Sequence, residues 1–410
     1  MKRSRKGRLL ILSAATLMMI AVVQAPVFAG DVSGSDANAG PEPAVITPEQ
    51  VEQALARGAP GEEKTVRLAV RGDADAEHFT VRMNVSLLLA IYDDHPGNLL
   101  VVETPFGEFA ANLNGEVWRQ LAEELGVDVG DFWLEATVRS ADEDERAQIR
   151  RAAEEQGMTL LSEPVSVIIG FWLNGELLTN EGFFALFTQW LPAETTFDPV
   201  FSTGVDFNPE NGRFWAKTAV SSVQGDRQML TMTVCGCGIF HFAVTNVKTF
   251  SDVSSDAPYG EAVHRMAAQG VVKGTGDGTF RPDRLLTRAE LAAMAARFYA
   301  MEEEGDAELA AEAFEDVDAD DWFAEYAGAL YRTGILQGER FNPHEHVTAD
   351  EIYAAFLSNE VVDYLFSYIG ERIPTAGPYV TRAEAAMIFN QMARAYELSA
   401  ERVQQLSLQG

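Results

Sequence analysis

Two arginines stand at the first position of a predicted helix, where a cation is not expected. Arg288 and Arg382 each occur in a Thr-Arg-Ala-Glu tetrapeptide, whose Thr and Glu have the spacing of a capping box. Capping explains the Thr and the Glu, but a positive charge at this position opposes the helix dipole. A guanidinium beside unpaired helix N–H groups is well suited to hold a carboxylate. Alternatively, each arginine is a surface residue paired with a neighbouring acid.

The same Thr-x-x-Glu pattern occurs three times and predicts three helix N-termini. The capping pairs are Thr287 with Glu290, Thr348 with Glu351, and Thr381 with Glu384. The second copy reads Thr-Ala-Asp-Glu, so Ala349 stands where the other copies have arginine, and Asp350 adds a charge that repels anions. We therefore expect only one or two of the copies to bind a carboxylate.

A longer repeat surrounds the first two copies. Phe-x-Asp-Val begins at Phe250 and again at Phe314, and Gly270 and Gly334 follow at the same spacing. Each glycine follows an amphipathic helix, at the position just past the C-terminus where glycine is common. An identical frame with one shortened turn is what a duplicated supersecondary unit produces. The repeat therefore predicts an all-α module in each copy.

The aspartate of this entry motif, Asp252 in the first copy and Asp316 in the second, lies just before a predicted helix. There a carboxylate can accept hydrogen bonds from unpaired N–H groups. Asp316 also begins Asp-x-Asp-x-Asp, the start of a calcium loop. Asp321 and Ala327 replace the Gly and Glu that an EF-hand needs, which excludes that site. No cofactor or metal is predicted; the alternative is calcium that screens the acidic surface.

These motifs closely resemble the S-layer homology (SLH) module, a surface-anchoring repeat of bacterial envelope proteins. The resemblance implies three modules in a pseudo-threefold helical bundle, whose grooves bind pyruvylated secondary cell-wall polysaccharide. Carried over by motif, it implies that the polysaccharide-binding residues are Arg288, Arg382, Asp252, Asp316, Trp322 and Tyr259. The two arginines would hold the pyruvate carboxylate, and the aromatic rings would contact sugar. Alternatively, those rings pack half-buried between helices.

Upstream of the repeats, residues 64–246 alternate strand and helix signals. Thr65–Arg71 alternates apolar and polar residues, as a half-buried strand does. Val165–Leu173 is a nearly continuous apolar run that ends at Asn174-Gly175, a strong hairpin signal. We predict an α+β chain, with a β-rich α+β domain followed by an all-α, SLH-like helical repeat bundle.

The domain boundaries follow from shifts in composition. Residues 1–29 combine a basic start, an apolar core and a small-residue cleavage site, and they predict a secretory signal peptide. An uncleaved membrane anchor is the alternative, although the apolar run is short for one. The remaining predicted segments are a disordered linker at 30–45, the β-rich domain at 46–246, SLH repeat 1 at 247–300, an acidic linker with SLH repeat 2 at 301–358, and a degenerate repeat 3 with a C-terminal tail at 359–410. Residues 359–373 are expected to supply the helix that repeat 3 lacks.

The two cysteines, Cys235 and Cys237, lie one residue apart. In one extended strand both would point to the same face, and a disulfide between them would be strained. Two thiols make a poor zinc site, because a closed site usually takes four ligands. The favoured interpretation is a pair of small residues in a strand, and an unusual local disulfide is the alternative.

Charge and motif content bound the function. The formal net charge is −31, and so acidic a surface repels nucleic acid and anionic lipid. The sequence lacks the Gly-x-Ser-x-Gly, His-Glu-x-x-His and phosphate-loop motifs, so no catalytic residue is assigned. After signal cleavage no stable membrane insertion is expected.

We therefore predict an exported, extracellular cell-surface protein, anchored non-covalently to cell-wall polysaccharide through its C-terminal repeats. Residues 64–246 would be a displayed structural or adhesive domain. An alternative is an anchored enzyme, such as a wall hydrolase, with its catalytic site in 64–246. A third possibility is a subunit of an S-layer lattice.

Overall fold

In the computed structural model, the residues described are 43–72, 77–179, 184–225, 227–235, 237–301, 305–357 and 371–409. The predicted signal peptide lies outside these ranges, as do most of the predicted linker and residues 359–370 of the segment expected to complete repeat 3. The described chain contains two β-sheets with four helices between their strands, followed by six further helices. The predicted α+β class is confirmed.

Two sheets form the N-terminal domain. Sheet A has the order β1-β3-β6-β8-β15-β11-β12, with β7 beside β15 and β9 beside β8. Its strands are β1 (Ala44–Val45), β3 (His78–Asn84), β6 (Phe132–Ser140), β7 (Thr159–Leu160), β8 (Val165–Leu173), β9 (Glu176–Thr179), β11 (Ser202–Asn208), β12 (Arg213–Lys217) and β15 (Cys237–Thr245). Sheet B has the order β13-β14-β10-β5-β4-β2. Its strands are β2 (Thr65–Ala69), β4 (Leu99–Thr104), β5 (Gly107–Asn112), β10 (Phe184–Trp190), β13 (Ala219–Gln224) and β14 (Arg227–Cys235).

The two sheets pack face to face around one apolar core. In β3 the buried residues Phe79, Val81 and Met83 alternate with partly exposed ones, as the two-residue period of a strand requires. They share a core cluster with Val102 and Phe187 of sheet B. The helices of this domain are α1 (Pro48–Leu55), α2 (Val85–Asp94), α3 (Gly115–Leu125) and α4 (Glu143–Glu155). Helix α2 has no counterpart in the sequence prediction.

The predicted linker at 30–45 is wrong at its end, because Ala44 and Val45 form strand β1. Ala44 pairs in parallel with Val81, and the N–H of Ile46 donates to the Arg82 carbonyl at 2.9 Å. Ile46 is buried and holds the strand against the core. The ordered domain therefore begins before residue 46.

The helical half contains α5 (Gly260–Ala268), α6 (Arg288–Tyr299), α7 (Asp306–Ala313), α8 (Ala324–Arg332), α9 (Ala349–Leu357) and α10 (Arg382–Gln409). Helix α7 lies in the segment predicted to be an acidic linker between repeats 1 and 2. Buried Asp306 pairs with Arg332 of α8 at 2.9 Å. A Cβ at Gly328 would lie 1.7 Å from the Asp306 carbonyl oxygen, so this glycine permits the close contact of α7 with α8.

Three backbone hydrogen bonds close a ring just before helices α6, α9 and α10. The N–H of Leu286 donates to the Val380 carbonyl at 2.9 Å, and the N–H of Val380 donates to Val347 at 2.9 Å. The N–H of Val347 donates back to Leu286 at 3.3 Å. Each copy thus donates to one neighbour and accepts from the other, which relates the three capping boxes by a pseudo-threefold axis.

Helix α10 extends from this ring onto the N-terminal domain. Ala400 is buried in a cluster with Leu99 and Val101 of β4, and the amide of Gln404 donates to the Thr231 hydroxyl of β14 at 2.6 Å. The predicted C-terminal tail is therefore wrong: up to Gln409 these residues are helical, and the last turns cover part of sheet B. Within the described ranges, no helix is both long enough and apolar enough to cross a membrane.

Candidate functional site

Arg288 begins helix α6 and reaches from the first copy to the second. Its backbone N–H donates to the Glu345 carbonyl at 2.8 Å. Its Nη2 contacts Glu351 Oε1 at 3.0 Å and Glu345 Oε2 at 3.5 Å, and the side chain is 30% exposed. Its Nε is buried and has no hydrogen-bond partner among the described residues. Arg288 is thus both paired with acids, as the alternative expected, and accessible to a ligand.

A groove of about 200 Å³ lies beside Arg288, between helix α6 and the second copy. Leu291 and Ala295 line it from α6, and Leu330 and Leu336 line it from the second copy. Its polar lining residues are Arg288 and Glu351. The groove therefore presents an apolar floor beside one guanidinium and one carboxylate.

Arg382 occupies the same motif position at the start of α10, but it is 7% exposed. Its Nε donates to the Phe280 carbonyl at 2.8 Å and its Nη2 to the Lys273 carbonyl at 2.7 Å. Its Nη1 bonds Glu290 Oε1 at 2.5 Å. Burial lowers the pKa of Arg382, while the charge of Glu290 opposes that shift. The structure therefore places this guanidinium on protein acceptors and not in a groove.

The two arginines follow one rule that the sequence analysis did not find. Each contacts the capping-box glutamate of another copy: Arg288 reaches Glu351, and Arg382 reaches Glu290. The second copy has Ala349 in place of the arginine, so it makes no such contact with the third copy. Glu384, the capping-box glutamate of the third copy, instead accepts the Ala376 N–H at 2.7 Å. No single copy contains this signal, because it appears only when the copies are arranged in a ring.

Asp252 and Asp316 do not cap helices, which corrects that prediction. Asp252 accepts the N–H groups of Phe280 and Arg281 at 2.8 and 2.7 Å, and Asp316 accepts those of Phe341 and Asn342 at 2.7 and 2.8 Å. Arg281 and Asn342 have φ angles of 58° and 54°, in the left-handed region. Each carboxylate thus fixes a strained turn. Burial alone would raise the pKa of each aspartate, but the backbone N–H groups lower it.

The two candidate aromatic residues differ in exposure. Trp322 is 59% exposed and packs edge-on against Phe323. Tyr259 stands at the position that buried Phe323 holds in the second copy, and it packs against the core of the helical half. Neither belongs to the described lining of the groove beside Arg288.

The residues assigned to the structural motif lie at helix ends. The Glu N–H donates to the Thr hydroxyl in all three capping boxes, at 3.3 Å in Thr287–Glu290 and 3.2 Å in Thr348–Glu351 and Thr381–Glu384. Gly270 and Gly334 both have φ of 77° after their helices. These residues therefore build the scaffold that positions the arginines.

Potential metal-ligating side chains do not gather in groups in the described part of the chain. No cluster of three or more His, Cys, Asp or Glu side chains there could hold a metal ion. Cys235 ends β14 and Cys237 begins β15, and their side chains lie outside the described residues. They are therefore not a pair within one strand.

The helical half is thus a repeat bundle in which one motif arginine lies half-buried beside a groove and the other is buried. Residues 249–292 and 313–348 match the family model of the S-layer homology domain, so the chain carries SLH domains. The third capping box lies beyond the matched residues.

Curated relatives support this assignment. The chain is 33% identical over 120 residues to a cell surface protein of Thermoanaerobacter kivui, covering 28% of this chain and 16% of that protein. It is 32% identical over 106 residues to endo-1,4-beta-xylanase A of Thermoanaerobacterium saccharolyticum, covering 25% and 9%. It is 30% identical over 112 residues to the surface-layer 125 kDa protein of Lysinibacillus sphaericus, covering 27% and 9%. The match thus spans only a small part of each relative, and together these findings indicate an extracellular, cell-surface protein.

Proposed function

We propose that the helical half anchors this protein non-covalently to a carboxylate-bearing, pyruvylated secondary polysaccharide of the cell wall. The observation that most directly supports this proposal is the position of Arg288 at an apolar groove. Its Nε is buried and has no hydrogen-bond partner among the described residues. A buried donor without a partner costs free energy, and a ligand carboxylate would recover it. The groove floor would pack against the sugar ring or the pyruvate methyl group.

The neighbouring charges make the site selective. Glu345 and Glu351 already contact Nη2 of Arg288, so an incoming carboxylate would bind through the remaining N–H groups of the guanidinium. Planar bidentate pairing of this kind is what arginine offers and lysine does not. The second copy has Ala349 at the motif position, and Arg382 of the third copy is buried. The groove at Arg288 is therefore the favoured binding groove.

The test is sedimentation of the full chain with purified cell wall that keeps its pyruvylated polysaccharide. We expect Arg288→Ala to weaken binding about tenfold or more, because a charge-assisted hydrogen bond contributes about 1.5–3 kcal/mol. Arg57→Ala, which removes an exposed arginine of the N-terminal domain, is the charge-matched control. Equal binding by Arg288→Ala, or by pyruvate-free wall, would contradict the carboxylate mechanism.

For the N-terminal domain we propose a displayed structural or adhesive role. The alternative is an anchored wall hydrolase with its catalytic site in residues 64–246, and one observation favours it. Two carboxylates, Glu103 and Glu108, converge in a cleft of sheet B. Glycoside hydrolysis needs one such group as a proton donor. Here both carboxylates contact Arg67 and neither stands apart from it as a separate catalytic group, so the structural or adhesive role is preferred.

A further inference from the structure

A cleft of about 490 Å³ opens on the face of sheet B that helix α10 partly covers. The register shows the continuity of this face: Glu103 lies two residues beyond buried Val101, and Trp190 lies two beyond Thr188. We name this site the sheet-B cleft and define it by Arg67, Glu103, Glu108, Thr188, Trp190 and Met229. It belongs to the N-terminal domain and is separate from the groove at Arg288.

Two carboxylates of the sheet-B cleft share one guanidinium. Glu103 and Glu108 are direct cross-strand partners, and like charges in such a pair destabilise a sheet. Arg67 Nη1 contacts Glu103 Oε1 at 2.5 Å and Glu108 Oε1 at 3.3 Å. One guanidinium offsets only one of two negative charges, so these three side chains carry a net charge of −1. A net negative charge that faces a cleft attracts a cationic group, which makes the cleft a candidate binding site.

The aromatic wall of the cleft adds a second, independent feature. Trp190 is 42% exposed on the same face of the sheet as Thr188. An indole ring offers a flat apolar surface against which the C–H face of a sugar ring packs. Carboxylates and a guanidinium beside it supply the acceptors and donors that sugar hydroxyl groups need. Aromatic face and polar rim together fit a saccharide better than an apolar ligand.

We propose that the sheet-B cleft binds a glycan segment that contains an amine-bearing sugar. The net negative charge of the cleft, within a chain of formal charge −31, disfavours anionic glycans and attracts a protonated amine. The amine would lie between Glu103 and Glu108, opposite Arg67, with the sugar ring on Trp190. The protein would then hold two glycans of opposite charge, one at each half.

The test is calorimetric titration of the full chain with a glucosamine tetrasaccharide at low salt and slightly acidic pH. We expect saturable binding that Trp190→Ala and Glu103→Gln each weaken about tenfold, because each removes one part of the site. Tyr379→Ala, which removes an exposed aromatic residue of the helical half, is the control and should bind as the wild type does. Glu103→Gln keeps the side-chain shape, so it remains informative if Trp190→Ala does not fold.

Several outcomes would overturn the proposal. They are undiminished binding by both variants, equal binding of the N-acetylated tetrasaccharide, and equal binding of a tetralysine peptide. Release of reducing ends from the tetrasaccharide would replace binding with hydrolysis. The anchor is tested separately: Arg288→Ala should lose wall sedimentation and keep tetrasaccharide binding, so either proposal can fail alone.

Discussion

Arg288 and Arg382 show how one motif position acquires two roles from its surroundings. Both guanidinium groups reach the capping-box glutamate of another copy. Around Arg382 the turn of the first copy supplies two carbonyl groups and the ring of Phe280, whose centroid lies 4.6 Å from the guanidinium carbon. Around Arg288 the corresponding space is the groove. We therefore assign Arg382 to the scaffold and Arg288 to binding.

Arg382→Ala should destabilise the protein without a specific loss of wall binding. The substitution leaves Glu290 and two carbonyl groups without their buried donor, and breaking such a pair costs about 3–5 kcal/mol. Urea unfolding measures the change. Arg284→Ala is the control, because Arg284 contacts the same glutamate from an exposed position and should cost less than about 1 kcal/mol. Equal losses for the two variants would contradict the scaffold role.

The sequence predicted the local features of the site and missed the distant ones. Thr287 and Glu290 are three residues apart, so their capping box could be read from spacing alone. Asp252 accepts N–H groups of Phe280 and Arg281, which follow it only after a helix and a turn. No local pattern marks that partner, and a short carboxylate before a helix resembles a cap. The binding role therefore had to be separated from the scaffold by geometry.

Helix α10 is the element that joins the two halves. Its first turn carries Arg382 in the ring, and its last turns lie on sheet B. The sequence did not reveal this second role, because the segment after Ala395 is mostly polar and its few apolar residues have no sheet beside them in the chain. A small residue such as Ala400 allows close contact, and that signal is weak without the partner strands.

Ala400→Glu should loosen this junction. Ala400 is 1% exposed against Leu99, Val101 and Leu186, and an unpaired carboxylate there loses its hydration. We expect the free energy of unfolding to fall by about 2–4 kcal/mol. Gln405→Glu adds the same charge at an exposed position of the same helix and should change it by less than about 0.5 kcal/mol. Equal urea midpoints for the two variants would show that α10 does not support sheet B.

At the scale of the whole molecule, several contacts cross between the sheets and the helices. Arg213 of β12 pairs with Glu325 of α8 at 2.6 Å, and the Asn246 amide donates to the Ala268 carbonyl at 2.7 Å. With α10 on sheet B, these contacts join the N-terminal domain to the helical half. Wall binding would therefore fix the orientation of the sheet-B cleft relative to the wall.

Stability should decrease in acid. Burial raises the pKa of Asp206, but Lys217 at 2.9 Å and His241 at 2.6 Å lower it below its usual value. A lowered pKa in the folded state contributes stability that is present above the unfolded pKa, about 3.9, and is lost as the pH falls toward the folded value. Asp252 and Asp316 have the same sign. We therefore expect the melting temperature to fall below about pH 4.

Asp206→Asn tests the contribution of this carboxylate to the loss of stability in acid, measured by thermal unfolding from neutral pH to below about pH 4. It should be less stable at neutral pH and should show a shallower dependence on pH, because one linked group is gone. Asp318→Asn, at an exposed position, is the control and should keep the wild-type slope. An unchanged slope for Asp206→Asn would remove this aspartate from the acid response.

The ring formed by Leu286, Val347 and Val380 has a consequence for how the protein is made. The three hydrogen-bonded residues are distant from one another in the sequence. The ring can therefore close only after the last of them has been synthesised. A chain that ends before Val380 cannot close this ring, which lies just before the helix that carries Arg288. The three-part scaffold of the helical half is therefore complete only in a chain that has been synthesised past Val380.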